Sequence, residues 1–259
     1  MTTPQPVVLI TGASGGIGAE LARVFAANGH ELVLVARRAP QLKELADSIA
    51  AGSRPRPQIL VVDLARADAA AHVADELRER GLQPAIVVNN AAFGLLGDAS
   101  ALDRAQQLAM IDLNVRVLTD LSLRFVDSLA RHRGGILNVA SVAGFMPGPG
   151  MAVYHATKAY VLSFSEALHR ELAPKGVRVT ALCPGPVETG FQARAGIPEN
   201  YFPRMLARSA ERVAREGYDG FMRGRRVVVP GSDNKVLSLL PRLLPRAVVL
   251  WMMQRSQGR

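Results

Sequence analysis

The sequence lacks several features that define whole classes of protein. Its one cysteine, Cys183, excludes an intramolecular disulfide, and its place after the apolar run 177–182 predicts a buried thiol. Residues 1–6 have neither the basic nor the apolar segment of a secretory signal, so we expect a cytoplasmic location. The apolar stretch 235–259 is interrupted by prolines and arginines too often to offer the roughly twenty apolar residues of a membrane-spanning helix.

Linkers, repeats and low-complexity tracts are also missing. Only the short connection 52–57 combines glycine, serine and proline. Hydrophobic residues make up 49% of the 259 residues, which is enough to bury a large core. We therefore predict a single domain over residues 1–259.

The net charge of +9 is concentrated near the C-terminus. Residues 201–259 carry twelve Arg and Lys against four acidic residues, a balance of +8 that leaves +1 for the rest of the chain. No zinc-binding, helix-turn-helix or aromatic-basic RNA motif accompanies this charge. The pattern therefore argues against nucleic acid as a partner, and no metal site is predicted.

Strand-like and helix-like segments alternate along the chain. Continuous apolar runs, typical of strands covered on both faces, alternate with segments of helical period. Right-handed crossovers between such strands predict an α/β fold, a doubly wound Rossmann-type parallel sheet of about seven strands. The predicted strands are 7–10, 31–36, 58–62, 85–88, 135–140, 177–183 and 225–229.

A glycine-rich turn links the first predicted strand to the first predicted helix, 17–28. It reads Gly12-Ala13-Ser14-Gly15-Gly16-Ile17-Gly18. Glycines let the backbone approach a pyrophosphate closely, and the helix N-terminus supplies N–H donors and a positive dipole. Strand, glycine turn and helix in this order predict the phosphate-binding start of a dinucleotide fold.

Two arginines end the second predicted strand. At about this position an acidic residue would hydrogen-bond the adenosine ribose of NAD. The sequence has Arg37 and Arg38 instead, and two guanidiniums can clamp a 2′-phosphate bidentately. We therefore predict NADP(H) in preference to NAD(H); the alternative is that the paired arginines simply open a solvated helix.

Tyr154 and Lys158 lie four residues apart in a predicted helix, 151–172, so their side chains share one face. Ser141 ends another predicted strand thirteen residues before Tyr154. Asn114 interrupts the apolar stripe of the helical segment 100–129, where a polar side chain needs a partner or a function. Polar residues also follow the third and fourth predicted strands, where ligands bind in open α/β sheets.

Together these pieces resemble the short-chain dehydrogenase/reductase family. The match runs from Val7 to about Thr189, and it is carried by Thr11 to Gly18, Asp63-Leu64, Asn89-Asn90-Ala91, Asn114, Ser141, Tyr154-x-x-x-Lys158 and Pro184-Gly185 with Thr189. Ala92 departs from the glycine most frequent in the family. Gly15 stands where many NADP-using members carry a basic residue, so Arg37 and Arg38 would hold the phosphate unaided.

The resemblance implies a role for each of these residues. Tyr154 would be the general acid/base, Lys158 its activator and a ribose ligand, and Ser141 the hydroxyl that orients the substrate. Asn114 would continue a proton relay through water. A nicotinamide cofactor is implied, together with a homodimer or homotetramer built on the Tyr154 helix and the helix before it. The expected cofactor-binding residues are Gly12, Ser14, Gly16, Ile17, Gly18, Arg37, Arg38, Asp63, Leu64, Asn90, Ala91, Tyr154, Lys158, Pro184, Gly185, Val187 and Thr189.

The leading hypothesis is an NADP(H)-dependent oxidoreductase that transfers hydride between the nicotinamide and a carbonyl or secondary alcohol. The alternatives are a catalytically silent dinucleotide sensor and a membrane-surface interaction protein. Apolar residues in the segment 145–153 and in a substrate loop at about 188–223 suggest a hydrophobic substrate pocket. They are Phe145, Met146, Met151, Phe191, Tyr201, Phe202 and Met205.

The apolar and basic tail, 235–259, has two possible roles. It could pack over the substrate loop or a neighbouring subunit, or it could lie on an anionic membrane with Trp251 in the interface. We favour packing, with at most peripheral membrane contact, because a tail this apolar usually completes a core or an oligomer interface.

Overall fold

The computed structural model describes residues 4–198, 201 and 207–256. Its centre is a parallel sheet of seven strands in the order β3-β2-β1-β4-β5-β6-β7, which confirms the predicted fold class. The strands are β1 (Gln5–Thr11), β2 (Leu32–Ala36), β3 (Gln58–Val61), β4 (Leu82–Asn89), β5 (Gly135–Val139), β6 (Arg178–Leu182) and β7 (Val227–Val228).

Helices cover both faces of the sheet. They are α1 (Gly16–Ala27), α2 (Ala39–Ala51), α3 (Ala69–Glu79), α4 (Arg104–Ile111), α5 (Val117–Arg124), α6 (Val126–Arg131), α7 (Ala152–Leu172), α8 (Gly190–Ala195), α9 (Ala210–Met222), α10 (Ser232–Leu243) and α11 (Arg246–Ser256). Successive residues of β1 point to opposite faces, so Val8 and Ile10 pack with α1, α2 and α9, whereas Val7 and Leu9 pack with α3, α5 and α7. Burial on both faces explains why the strands read as continuous apolar runs.

Two of the predicted helices have different limits in the structure. The segment 64–80 has a helical period that predicts a helix over its whole length, but the helix begins only at Ala69, because the residues after β3 form a turn in which Asp63 accepts a hydrogen bond from the Ala65 N–H. The long helix predicted over 100–129 is divided. A π-helical turn, Asp112–Arg116, separates α4 from α5, and α6 begins after Phe125.

The last part of the predicted substrate loop, 188–223, is helical. It forms α9, which packs against α1 in the core. Tyr218 and Phe221 of α9 both contact the ring of Phe25, with ring centroids 4.9 and 6.4 Å away. The residues of α9 are therefore part of the core, and a substrate loop stays a prediction for the residues before it.

The order in which strands are added to the sheet reverses at β1, although all strands stay parallel. The chain runs from β1 to β2 and β3 on one side, then crosses over to place β4 on the other side of β1. In sheets of this kind ligands bind beyond the carboxyl ends of the strands at this switch point. The glycine turn after β1 and the polar residues after β4 both lie there.

The tail forms two helices after the last strand, α10 and α11. Over the described part of the chain, no helix is long and apolar enough to cross a membrane. Part of the tail packs onto the protein: Ser238 and Val249 are buried, and α10 lies against the 3₁₀ turn Val142–Phe145. Packing of the tail over the substrate loop or a neighbouring subunit stays a prediction.

Candidate active site

A cavity of about 1210 Å³ opens at the carboxyl ends of the strands. Its walls include every predicted cofactor-binding residue except Gly18, and also Ser141. One half is polar and is formed by the turns after β1 to β4. The other half is apolar and is formed largely by segments that follow β6.

Two glycines allow the turn after β1 to pack tightly. Gly12 has a positive φ of 66°, and a Cβ there would lie 2.7 Å from Nδ2 of Asn90. A Cβ on Gly18 would lie 2.4 Å from the same nitrogen and from the Gly12 carbonyl oxygen. Gly18 therefore does not line the cavity; its missing side chain lets α1 approach the turn.

Asn90 connects the end of β4 to this turn. Its Nδ2 donates to the carbonyl oxygens of Thr11 and Gly12, at 2.9 and 3.1 Å. The hydroxyl of Thr11 in turn accepts from the backbone N–H groups of Asn90 and Ala91. These bonds fix the two strand ends between which a dinucleotide would bind.

Arg37 and Arg38 both line the polar half of the cavity. The guanidinium of Arg38 donates to the Ser14 hydroxyl at 3.0 Å and to the Ser14 carbonyl at 3.1 Å, so it lies over the glycine turn. A Cβ on Gly15 would lie 3.3 Å from Arg38 Nη2. Arg38, which follows β2, thus places its positive charge beside Gly15 of the glycine turn. Arg37 lies 3.9 Å from Asp63.

Arg194 is a third guanidinium at this end of the cavity, and the sequence analysis did not find it. It belongs to α8, its guanidinium carbon lies 4.5 Å from the ring centroid of Phe93, and it lines the cavity. Partial burial lowers its pKa, and the positive charges of Arg37 and Arg38 lower it further. Its position five residues after Thr189, in the predicted substrate loop, was the available signal.

Tyr154 and Ser141 both line the cavity. Ser141 is held in place by its own backbone contacts: its Oγ accepts from the Ala143 N–H at 3.1 Å and donates to the Pro184 carbonyl at 3.4 Å. The atoms packed around the Tyr154 hydroxyl remove it from water and raise its pKa to about 12, although the polar influence of Ser141 acts in the opposite direction. The phenol therefore holds its proton near neutral pH.

Lys158 lies one helical turn after Tyr154 and is buried. Its ammonium donates to the Val139 carbonyl at 2.8 Å and lies 5.8 Å from the centroid of the Tyr154 ring. Burial lowers its pKa to about 8. The pair therefore shares one face of α7, as predicted from the spacing.

Asn114 lies in the π-helical turn but does not line the cavity. Its side chain is buried and fully engaged: Oδ1 accepts from the Phe93 N–H, while Nδ2 donates to the Phe93 carbonyl and to the Thr157 hydroxyl. These bonds connect the turn to α7 and to the segment after β4. Its place in a proton relay stays a prediction.

A chain of buried polar side chains joins the sheet to α7. Asn89 donates to Ser122 and to Asn138, each at 2.9 Å, and Asn138 donates to Ser165 of α7 at 2.9 Å. Buried hydrogen-bond networks of this kind restrict how a helix can shift on a sheet, although the Oδ1 atom of Asn89 is left without a partner among the described residues. The network therefore helps to fix Tyr154 and Lys158 relative to Ser141.

The apolar half of the cavity includes four of the predicted substrate residues, Met146, Met151, Phe191 and Tyr201. Phe145 instead packs on the cluster around Val161, because the 3₁₀ turn directs it away from the cavity. Phe202 and Met205 lie outside the described residues. Leu237, Met252 and Met253 of the two tail helices also line this half, and the sequence analysis did not single them out as pocket residues.

His155 and Cys183 take no part in the Tyr154 and Ser141 pair. The Nδ1 atom of His155 lies 2.9 Å from the Met146 carbonyl oxygen, and a Cβ on Gly148 would overlap its ring. Cys183 is buried, and burial raises its pKa to about 12. His155 packs a loop against α7, and Cys183 behaves as the small buried hydrophobe that the sequence predicts.

The polar half fits a nicotinamide dinucleotide. The glycine turn leaves space where side chains would stand, α1 begins at that turn, and guanidiniums lie beside it. Ser141, Tyr154 and Lys158 lie where the cavity passes into its apolar half, which suits a reaction between the nicotinamide end and an apolar substrate.

The comparisons with known proteins agree with this geometry. The short chain dehydrogenase family matches residues 6–199. The chain is 39% identical over 188 residues to sulfoacetaldehyde reductase 2 of Chromohalobacter salexigens, covering 71% of this chain and 74% of that protein. A short-chain dehydrogenase from Sphingobium yanoikuyae in complex with NADPH has 37% identity and a TM-score of 0.80, over 88% of both chains.

A third comparison concerns an alcohol dehydrogenase from Comamonas testosteroni described as specific for bulky-bulky ketones. It has 31% identity and a TM-score of 0.76, over 93% of both chains. Fold and site thus define an oxidoreductase that acts on CH–OH groups with a nicotinamide cofactor. The chain belongs to the short-chain dehydrogenase family.

Proposed function

We propose that the protein is an NADP(H)-preferring oxidoreductase that interconverts apolar carbonyl compounds and secondary alcohols. One observation carries the proposal: Ser141, Tyr154 and Lys158 line the same cavity whose polar half holds Arg37 and Arg38. A catalytically silent sensor would need the two arginines but not Ser141, Tyr154 and Lys158 together.

The preference for NADP(H) rests on the charges at the polar end of the cavity. Arg38 is oriented by Ser14 and Arg37 lies beside it, whereas Ala36 occupies the position at which NAD-using relatives have an acid. Among the described residues, the carboxylate of Asp63 lies 3.9 Å from the guanidinium of Arg37. Charge-assisted contacts to a phosphate are worth about 1.5–3 kcal/mol each, roughly a ten- to hundredfold preference.

Tyr154 would supply the proton in carbonyl reduction. When bound, the nicotinamide supplies hydride to the carbonyl carbon, and the oxygen then needs a proton. The Tyr154 hydroxyl donates it while the Ser141 hydroxyl orients the substrate oxygen. The reverse reaction starts from the phenolate, which takes the proton of the alcohol.

Lys158 would stabilise the phenolate that remains. Its ammonium is the cation nearest to the Tyr154 ring in the cavity wall, and burial strengthens the attraction between the two charges. With a pKa of about 8, Lys158 is mostly charged at neutral pH. The same group would bind the cofactor ribose, as the family resemblance implies.

The apolar half supports a hydrophobic substrate. Methionine, aromatic and leucine side chains form its walls, and the ring of Phe191 lies 5.3 Å from that of Tyr154. A pocket of this composition gains affinity mainly by burying apolar surface. The bulky-ketone specificity of the Comamonas enzyme is consistent with this class.

We also propose a homodimer or homotetramer built on α4, α5 and α7. These helices expose large apolar side chains on their outer surface, namely Leu108, Ile111, Leu123 and Tyr160. Such side chains are typical of a surface covered by a partner. Light scattering should therefore give two or four times the mass of one chain. The cytoplasmic location stays a prediction.

The proposal is tested with purified protein, both cofactors and a panel of aldehydes and ketones of graded size and polarity. NADPH should bind roughly ten- to a hundredfold more tightly than NADH, and bulky apolar ketones should be reduced faster than small polar aldehydes. Equal affinity for both cofactors would contradict the cofactor assignment. Tight NADPH binding without turnover of any carbonyl would favour the silent sensor.

A further inference from the structure

The outer face of α10 carries exposed apolar side chains. Val236, Leu239 and Leu243 are 61%, 52% and 81% exposed, and their spacing of three and four residues places them along one stripe of the helix. The opposite side of α10 faces the protein, where Asn234 and Ser238 are buried. The exposed stripe is therefore not the side by which α10 packs onto the domain.

The next helix, α11, adds a tryptophan to this surface. Trp251 is 55% exposed, and the guanidinium of Arg255 lies 4.4 Å from its ring centroid. Val249 is buried on the other side of the helix. A half-exposed tryptophan beside arginine is typical of helices that lie in the interface of a membrane.

Beyond the first turn of α10, every charged residue of this region is basic. Asp233 is the last acidic residue of the chain, and its carboxylate lies 2.7 Å from the guanidinium of Arg208. Lys235, Arg246 and Arg255 follow it and are exposed. The two helices thus combine apolar side chains with unopposed positive charge.

We propose that α10 and α11 form a docking surface for anionic lipid membranes. The helices would lie in the plane of the interface, with the α10 stripe and Trp251 among the headgroups and the basic residues on anionic lipids. A second copy of the chain fits less well. In a twofold interface the same patch meets itself, which would bring these basic side chains against one another.

The docking surface adjoins the apolar half of the cavity. Leu237 of α10 and Met252 and Met253 of α11 line the cavity, while their neighbours form the outer surface. Docking would thus place the apolar half of the cavity next to the membrane, in which an apolar carbonyl substrate would be dissolved. This consequence rests on the proposed function, whereas the docking itself does not.

Trp251 provides a direct probe because it is the only tryptophan of the chain. The full-length protein, without cofactor or substrate, is mixed with vesicles of phosphatidylcholine alone or of phosphatidylcholine with phosphatidylglycerol, at low and high salt. We expect co-flotation and a blue shift of the tryptophan emission with the anionic vesicles at low salt. Both should weaken with the neutral vesicles and at high salt.

Two double variants separate charge from apolar contact. Lys235→Glu with Arg246→Glu should lower partitioning at least about twentyfold, since each basic residue near an anionic surface contributes about fivefold. Leu239→Ser with Leu243→Ser should reduce binding that remains at high salt. The control, Arg54→Glu with Lys175→Glu, makes the same charge change at the amino ends of β3 and β6 and should bind like the wild type.

Several results would overturn the proposal. The proposal is wrong if the protein does not float with anionic vesicles at low salt. It is also wrong if the control variant, Arg54→Glu with Lys175→Glu, loses as much binding as Lys235→Glu with Arg246→Glu. A blue shift that grows with protein concentration in the absence of vesicles, together with a higher mass, would show that a second copy covers the surface instead. Because no turnover is measured, failure of the proposed catalytic function would leave these outcomes unchanged.

Discussion

The two halves of the cavity are made from different parts of the chain. The polar half consists of short turns at the ends of β1, β2, β3 and β4, which are fixed by the buried sheet. The apolar half consists of Met146 and Met151 from the segment after β5 and, after β6, of residues of α8, Ile197, Tyr201 and the two tail helices. The first half is held by backbone geometry and the second by side-chain packing.

We expect the polar half to bind the cofactor and the apolar half to determine which carbonyl substrate is accepted. A pyrophosphate is bound by backbone N–H groups and close-packed glycines, so few residue types serve at each position. Apolar walls tolerate many combinations of side chains of suitable volume. Substitutions in the polar half should therefore change cofactor affinity strongly. Substitutions in the apolar half should change the KM for the carbonyl substrate, and by a smaller factor.

The largest effect is expected where the halves meet. Tyr154→Phe removes the proton donor and almost no volume, so kcat should fall about 10²- to 10⁴-fold while NADPH affinity changes little. Stopped-flow or steady-state NADPH absorbance with a bulky ketone gives the rate. Tyr160→Phe is the matched control, because Tyr160 lies on the same helix, is exposed and has its hydroxyl 3.0 Å from that of Thr119. Near-normal turnover in Tyr154→Phe would remove Tyr154 from the mechanism.

The second effect concerns stability and the buried ammonium of Lys158. Its pKa falls from 10.5 to about 8 on folding, so between these values the unfolded chain binds more protons than the folded one. The contribution of Lys158 to stability therefore rises with pH across this window, on the order of 3 kcal/mol for the whole shift. Burial raises the pKa of Cys183 from 9.0 and that of Tyr154 from 10.0, each to about 12, so these two groups oppose the gain from about pH 9 upward.

Urea unfolding of the cofactor-free protein tests this from about pH 7 to pH 10. Lys158→Met keeps an unbranched side chain and removes the titrating group. The difference in unfolding free energy between wild type and Lys158→Met should shift in favour of the wild type as pH rises. A difference independent of pH would show that Lys158 is not desolvated as its burial indicates.

The third effect is cofactor preference, which tests the polar half alone. Arg38→Ala should weaken NADPH about ten- to a hundredfold and NADH much less, because only NADPH carries the 2′-phosphate. Arg194→Ala should show the same preference at a smaller size, since α8 approaches this end from across the cavity. Arg54→Ala, at an exposed arginine outside the cavity, is the control. Equal losses of NADPH and NADH in Arg38→Ala would contradict the phosphate contact.

The comparison also explains what the sequence could and could not predict. The glycine turn, Arg37, Arg38 and the Tyr154 and Lys158 pair were found because each is local: a strand end, a turn or one helical face determines its position. Arg194 and Leu237 come from segments far along the chain, and only the packing of α8 and α10 brings them to the cavity. Asn114 was found as a polar residue in an apolar stripe, but its partners, Phe93 and Thr157, depend on the tertiary fold.

The smallest effect tests the apolar half. Leu237→Ala removes apolar surface from the cavity wall, so KM for a bulky apolar ketone should rise about fivefold, corresponding to roughly 1 kcal/mol of lost burial. NADPH affinity and the rate with a small aldehyde should stay near the wild-type values, because neither depends on that wall. Val236→Ala is the matched control, since the preceding residue is exposed on the outer face of the same helix. A change in NADPH affinity in Leu237→Ala equal to its change in KM would show that α10 supports the whole cavity, and that its two halves are not independent.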